Sequence, residues 1–263
     1  MSLTERFVSK LLCVALAPGQ LTAVVRRGGR IVNDSAVTIA LGEPNWQGVL
    51  GAFQALLKQH AAPMPVAISL SARWCHFAVL PWSDALLDAG SAQQFIALQF
   101  GATFGDAARN WEVQCDDAPY GQPRLACAIE RDLAQGLQHI ANECGYHCVG
   151  IEPQLAAAGR AIAADKPQAF AVVEPGRIVL AALENGRISA VQAQPCRDGW
   201  HAELSQAWQR WTLRSPELGG IAAVALVNLG AAATGAGLPR NFHSAALASP
   251  LPPAFMSACI TGA

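Results

Sequence analysis

The chain writes one hairpin twice. PGQLTAVVRRGGRI starts at Pro18 and PGRIVLAALENGRI at Pro175, and the two align without a gap. Each opens on Pro-Gly, places an apolar residue two positions after that glycine and closes on Gly-Arg-Ile. Pro-Gly between apolar runs is a tight-turn signature, and the alternation of Leu21, Ala23 and Val25 has the period of a half-buried strand. A strand–turn–strand unit repeated at this distance implies a duplicated lobe.

The segments around each copy extend the parallel. LLCVALA precedes the first hairpin and AFAVVE the second, each reading as a strand. After the first, RIVNDSAV reads as a third strand. In PNWQGVLGAFQALLKQHA, residues Trp46, Val49, Leu50, Phe53, Leu56 and Leu57 recur at three- and four-residue spacing, which predicts an amphipathic helix. PVAISLS is then a buried strand. After the second hairpin, Trp200, Leu204, Trp208 and Trp211 share one helix face, and IAAVALVNLGAAATGAG runs from a buried strand into a Gly/Ala-rich turn. Between the halves lie the strand RWCHFAVLPW, a helix carrying Phe95, Ile96, Phe100 and Phe104, and the strand pair NWEVQCDD and PRLACAIE. RDLAQGLQHIANECG follows, a helix with Leu133, Leu137, Ile140 and Cys144 on one face and Gly145 as its cap. YHCVGIEP is the next strand and PQLAAAGRAIAA the next helix. The expected fold is α/β with helices against sheets. The expected boundaries are a first lobe at 1–80, an inserted α/β subdomain at 81–150, a second lobe at 151–240 and a tail at 241–263 that can return to the first lobe. The hundred or so residues after Ala161 are few for two full subdomains.

Composition narrows the function. A net charge of −1 gives no basic footprint for nucleic acid or an anionic membrane. No apolar run approaches the roughly twenty residues of a membrane-spanning helix. The opening MSLTERFVSKLLCVALA resembles a secretion signal ending in Ala-Leu-Ala, but cleavage after Ala17 would remove the strand that the second copy keeps, so a strand is the expectation. The eight cysteines sit mostly in apolar runs, as small buried hydrophobes do. CGYHC at 144–148 could offer Cys144, Cys148 and His147 to zinc, but no second Cys/His pair stands at metal-site spacing, and structural thiols are expected.

The order of these motifs resembles the actin-like (ribonuclease H-like) duplicated two-lobed fold with a small inserted α/β subdomain. Within that superfamily it is similar to the PilM-like proteins of type IV pilus assembly and to the cytoplasmic domain of GspL-type proteins of type II secretion. ALAPGQLTAVVRRGGRIV and VVEPGRIVLAALENGRIS match the family's glycine-turned hairpins in shape. LPW, then a helix, then RLACAIERDLAQGLQHIANECGYHCVGIEPQLAAAGRAI resembles its inserted subdomain and return helix. VALVNLGAAATG resembles the strand and turn near adenine in nucleotide-binding members.

That resemblance implies a nucleotide cleft at Gly19, Thr22, Glu174, Gly176, Arg177 and Gly230. Active members need turn amides for phosphate and a carboxylate two residues before each hairpin glycine for magnesium or water. Those two positions are Ala17 and Glu174 here, and Pro18 and Pro175 have no N–H to give. Gly230 is followed by Ala231. The expectation is a degenerate site: no catalytic residue, no metal and no obligatory cofactor, with ATP and magnesium disfavoured.

The resemblance further implies a cytoplasmic adaptor, peripheral to the inner membrane. It would dock the N-terminal cytoplasmic peptide of a membrane partner of a pilus or type II-like secretion assembly in a groove of the first lobe. Seven tryptophans against two tyrosines offer anchors such as Trp74 or Trp82. The competing readings are an active ATPase or kinase-type enzyme of the same fold, and an unrelated α/β hydrolase or binding module, which the duplication disfavours. ISLSAR holds serines without nucleophile-elbow spacing. His76 reads as a half-buried strand histidine, and His201 with Glu203 as a helix-start surface pair.

Overall fold

The computed structural model describes residues 10–262 except 43–44, 61, 198, 232–236, 246 and 248–250. The start of the signal-like segment, most of the Gly/Ala-rich turn and the Ser-Pro of SPLPP lie outside the described residues. The chain begins with β1 (Lys10–Ala17), β2 (Gln20–Arg27), β3 (Arg30–Ile31), β4 (Val37–Ala40), α1 (Trp46–Gln59) and β5 (Val66–Leu70). Next come β6 (His76–Leu80), α2 (Ala89–Phe104), β7 (Trp111–Cys115), β8 (Arg124–Glu130), α3 (Arg131–Glu143), β9 (Cys148–Pro153) and α4 (Gln154–Ala161). The remainder is β10 (Ala169–Glu174), β11 (Arg177–Glu184), β12 (Arg187–Pro195), α5 (Trp200–Arg214), β13 (Val224–Asn228), β14 (Phe242–Ser244) and α6 (Met256–Ile260).

Two sheets repeat one plan. The first has the order β3-β2-β1-β5-β9, with β4 also pairing β2; the second is β12-β11-β10-β13-β14. In each, the hairpin strands pair antiparallel, and the central strand then takes two parallel neighbours in sequence. Helices cover both faces, so the central strands are buried along their length, as parallel strands under two helical layers must be. Leu12, Val14 and Leu16 of β1 pack with Phe53 and Leu56 of α1 and Leu133 and Leu137 of α3. The opposite face of that sheet, at Cys13, Ala15 and Val24, is covered by Ala258 and Cys259 of α6. In the second lobe, Trp200, Leu204, Trp208 and Trp211 of α5 close one face. Leu155, Ala157 and Ala158 of α4 close the other against Phe170 and Val172, and Ile260 joins them.

Helices α4 and α6 therefore lie between the lobes. The last segment is fixed to the first lobe by polar contacts as well. Ser69 Oγ and Thr261 Oγ1 are 2.7 Å apart and both fully buried. Arg26 Nη2 donates to the Cys259 carbonyl at 2.6 Å.

The structure shifts the expected boundaries. β6 belongs to the inserted sheet β6-β8-β7, so the insertion begins at His76 rather than 81. α3 and β9 belong to the first lobe, because the Leu133/Leu137 face of α3 fills the first-lobe core. β14 belongs to the second-lobe sheet, so that lobe runs past 240. RIVNDSAV divides into β3 and β4 around a single 3₁₀ turn at Asn33–Ser35. α3 ends with Tyr146 N–H on the Ala141 carbonyl and Gly145 N–H on that of Asn142, the paired bonds of a Schellman cap. His201 is buried at 8% exposure and stacks on Trp200, so it is no surface residue. His76 is half-buried and stacks on Trp111 at 3.7 Å.

Candidate functional site at the lobe junction

Both hairpins turn through Pro-Gly, with Gly19 at φ +89° and Gly176 at φ +80°. Proline at the first turn position and a left-handed glycine at the second is the type II arrangement. The lobes treat these turns alike. Gly19 O accepts from Leu41 N at 2.9 Å, and Gly176 O accepts from Cys196 N at 3.1 Å. At the end of each central strand, Leu16 O accepts from Ser71 N at 2.9 Å and Val173 O from Leu229 N at 2.8 Å. The turn after β5 is thus the counterpart of the turn after β13.

Glu174 breaks this equivalence. Its counterpart in the first lobe is Ala17. The Glu174 carboxylate is 1% exposed and reaches across the junction to the turn after β5. Ser71 Oγ–H donates to Oε2, and the Ala72 amide donates to both oxygens at 3.1 and 3.2 Å. Burial pushes the Glu174 carboxyl up to about 7, against the opposing pull of the Ser71 hydroxyl, the Ala72 amide and the Arg177 charge. Gln154, at the start of α4 and 1% exposed, donates to Leu16 O at 3.5 Å and completes the polar contacts of the junction.

The six residues of the expected cleft fall into different environments. Glu174, Gly176 and Arg177 stand together at the second hairpin. Arg177 is half-buried and feels Glu174, Arg73, Cys75 and Cys196, and burial lowers its affinity for its proton. Gly19 is open to solvent at the first hairpin. Thr22 is 2% exposed inside β2, opposite Ala15 and Thr38; it is a sheet residue and not a turn hydroxyl. Gly230, at φ +93°, lies in a turn closed by Asn228, whose Oδ1 accepts from Ala231 N at 2.9 Å and whose Nδ2 donates to Ala231 O at 3.0 Å. Ser71, Ala72 and Gln154 are junction residues that sequence reasoning missed. ISLSAR did present Ser71, but only its cross-lobe partner gives it a role.

A groove of about 650 Å³ opens elsewhere, between the insertion and the first lobe. Glu112 and Gln114 of β7 and Leu125 and Cys127 of β8 form one wall; Gln138 and Asn142 of α3 and the strand β9 form the others. Trp74 and Trp82 are not among its lining residues. Trp74 is in the first-lobe core. Trp82 packs on Tyr120 with the Arg124 guanidinium 5.9 Å from its ring. A second cavity of about 680 Å³ shares Asp116, Leu125 and Ala156 with the first and reaches the β11–β12 hairpin. There Arg187 joins the second lobe to the insertion, donating to Asp116 Oδ2 and to the Asp117 carbonyl, each at 2.6 Å.

The eight cysteines are free thiols. Burial raises Cys13 to about 12 and Cys115 and Cys196 to about 11, which leaves them as unreactive thiols at neutral pH. Among the described residues no three His, Cys, Asp or Glu side chains gather as a metal site. No helix among them is long and apolar enough to cross a membrane.

No family model matches the chain, and no curated protein matches its sequence. Solved structures do. The cytoplasmic domain of EpsL, an inner membrane component of the type II secretion system of Vibrio cholerae, aligns over 96% of this chain and 93% of its own at TM-score 0.58 and 12% identity. A PilM–PilN type IV pilus biogenesis complex aligns over 84% of this chain and 81% of that one, at TM-score 0.56 and 12% identity. A Bacteroides thetaiotaomicron protein of unknown function with an actin-like ATPase fold aligns over 88% and 85%, at TM-score 0.53 and 11% identity. Sheet order, hairpin turns and these alignments agree: the chain has the actin-like ATPase fold.

Proposed function

We propose that this protein is a non-catalytic actin-like body of an inner-membrane assembly platform, of the pilus or type II secretion kind. It sits on the cytoplasmic side and holds a cytoplasmic segment of a membrane partner in the groove beneath the insertion. The observation that carries this reading is the engagement of Glu174. A magnesium nucleotide in this fold needs carboxylates beside the hairpin turns and turn amides free for phosphate. Ala17 supplies no carboxylate, Pro18 and Pro175 supply no amide, and Glu174 is bonded to Ser71 and Ala72 away from solvent. The same bonds join the lobes and favour a rigid body over one that opens and closes with a nucleotide. The neighbouring folds, a secretion component of the inner membrane and a pilus biogenesis complex, support the setting.

A photo-cross-linking residue placed at Gln138 or Gln114, both exposed in the groove, tests the docking. In living cells the account expects covalent capture of an inner-membrane protein from both positions, lost when that protein's cytoplasmic segment is deleted. Capture from neither position contradicts it.

A further inference from the structure

We infer that the groove takes its partner as an added β-strand: an extended segment bearing lysine or arginine side chains pairs with the open edge of β9. This inference rests on the docking reading above. Successive side chains of a strand point to opposite faces, so a cavity lying over one face meets alternate residues. This groove instead meets every residue from His147 to Pro153. It therefore runs along the edge of β9, the side toward which backbone N–H and C=O groups point.

That edge is open. β9 ends the first-lobe sheet, and among the described residues its only strand partner is β5. Edges are commonly blunted by bulges and prolines. Here the β5–β9 register shifts at Val149, and Pro153 ends the strand. Between them lies the short stretch Gly150–Glu152, in which Gly150 has no side chain of its own and its carbonyl accepts a weak contact from the Cys148 thiol at 3.8 Å. Val149, half exposed, stands at its mouth. Main-chain pairing along so short an edge suits a peptide, with side-chain pockets setting specificity. A helix would bring no free backbone groups to such an edge.

Charge selects the peptide. The carboxylates of Glu112, Asp116 and Glu152 line the groove, and no lysine or arginine is among its lining residues. Arg187 engages Asp116, and Arg160 engages Glu152 at 2.7 Å. Among the described residues, the carboxylate of Glu112 accepts a single long hydrogen bond, from Gln114 Nε2 at 3.5 Å. Apolar Leu125, Cys127 and Ile151 lie among these acids. The complementary segment alternates apolar and cationic side chains.

The test uses the full chain and three labelled octapeptides, read by fluorescence anisotropy. One alternates valine and lysine, one alternates valine and glutamate, and one is the valine–lysine peptide with alternate amides N-methylated. The valine–lysine peptide is expected to bind and to slow amide hydrogen exchange at 149–152. N-methylation, which removes two or more main-chain bonds, weakens it about tenfold or more. Glu112→Lys weakens it about fivefold and strengthens the glutamate peptide to match. Equal binding of the N-methylated peptide, protection elsewhere, indifference to Glu112→Lys, or no binding of the lysine peptide each overturns strand addition. Cross-linking from Gln138 without peptide binding leaves docking intact and removes strand addition. Peptide binding without cross-linking removes docking and leaves the edge as a recognition surface.

Discussion

The carboxyl of Glu174 accepts a hydrogen bond from the Ser71 hydroxyl, joining the second lobe to the first out of reach of solvent. Neither group has water to fall back on. Ser71→Ala removes a buried donor and is expected to lower unfolding free energy by ~1–2 kcal/mol. Glu174→Ala costs more, on the order of 3 kcal/mol, because it strands the Ser71 hydroxyl and the Ala72 amide and opens a cavity. Urea denaturation measures both. Stability unchanged by Ser71→Ala would show that the bond holds nothing.

The same carboxyl sets a pH dependence. Its folded value of about 7 lies above the ordinary 4.5, so the folded state holds the proton more tightly than the unfolded chain does. Its favourable contribution is complete below pH 4.5 and is lost as pH rises through 7. Glu174→Gln keeps the shape and an acceptor but removes the titration. Between pH 5 and 8 the wild type should lose, relative to Glu174→Gln, a free energy on the order of 3 kcal/mol. Parallel stability profiles for the two proteins would contradict the burial of this charge.

Much of the fold is legible in the sequence because its signals are local and repeated. Pro18-Gly19 and Pro175-Gly176 set two turns, and the three-four spacing of Phe53 and Leu56 or of Leu204 and Trp208 sets helix faces. The boundaries drift where two elements look alike locally. Nothing in HFAVL shows that it pairs with RLACAIE rather than with the first-lobe sheet, and α3 reads as part of the insertion until Leu133 and Leu137 are seen in the first-lobe core. The junction is less legible. Glu174 was visible two residues before its glycine, but its partner lies 103 positions earlier. Trp74 can be read from the sequence as a groove anchor or as core, the commoner place for a tryptophan, and it is a core residue; its large apolar body and single N–H suit either setting.

The Arg187–Asp116 bridge fixes the insertion against the β11–β12 hairpin. Both side chains keep about a third of their exposure, 31% and 37%, so water screens the pair. Arg187→Ala should cost under about 1 kcal/mol in global stability. Its larger effect should be local: faster hydrogen exchange at 116–124, because the hairpin contact is lost while the strand pairing of β7 and β8 remains. Unchanged exchange there would show that the insertion is held by other contacts.

The final segment depends on a buried hydroxyl pair. Thr261→Val deprives Ser69 Oγ of its partner and should lower stability by ~1–2 kcal/mol. Gly262→Ala should add to this, because φ +63° strains a Cβ that would also stand 3.0 Å from Leu11 Cδ2 and 3.1 Å from Ala67 Cβ. Denaturation of the two single variants measures both effects. Wild-type stability in both would mean that α6 gains nothing from these contacts.

Isothermal titration of the full chain with magnesium ATP addresses the core of this account most directly. No heat in the micromolar range and no steady phosphate release are expected, with the Glu174→Ala protein behaving identically. Micromolar affinity together with phosphate release that disappears on Glu174→Ala would make this an enzyme and not a docking body.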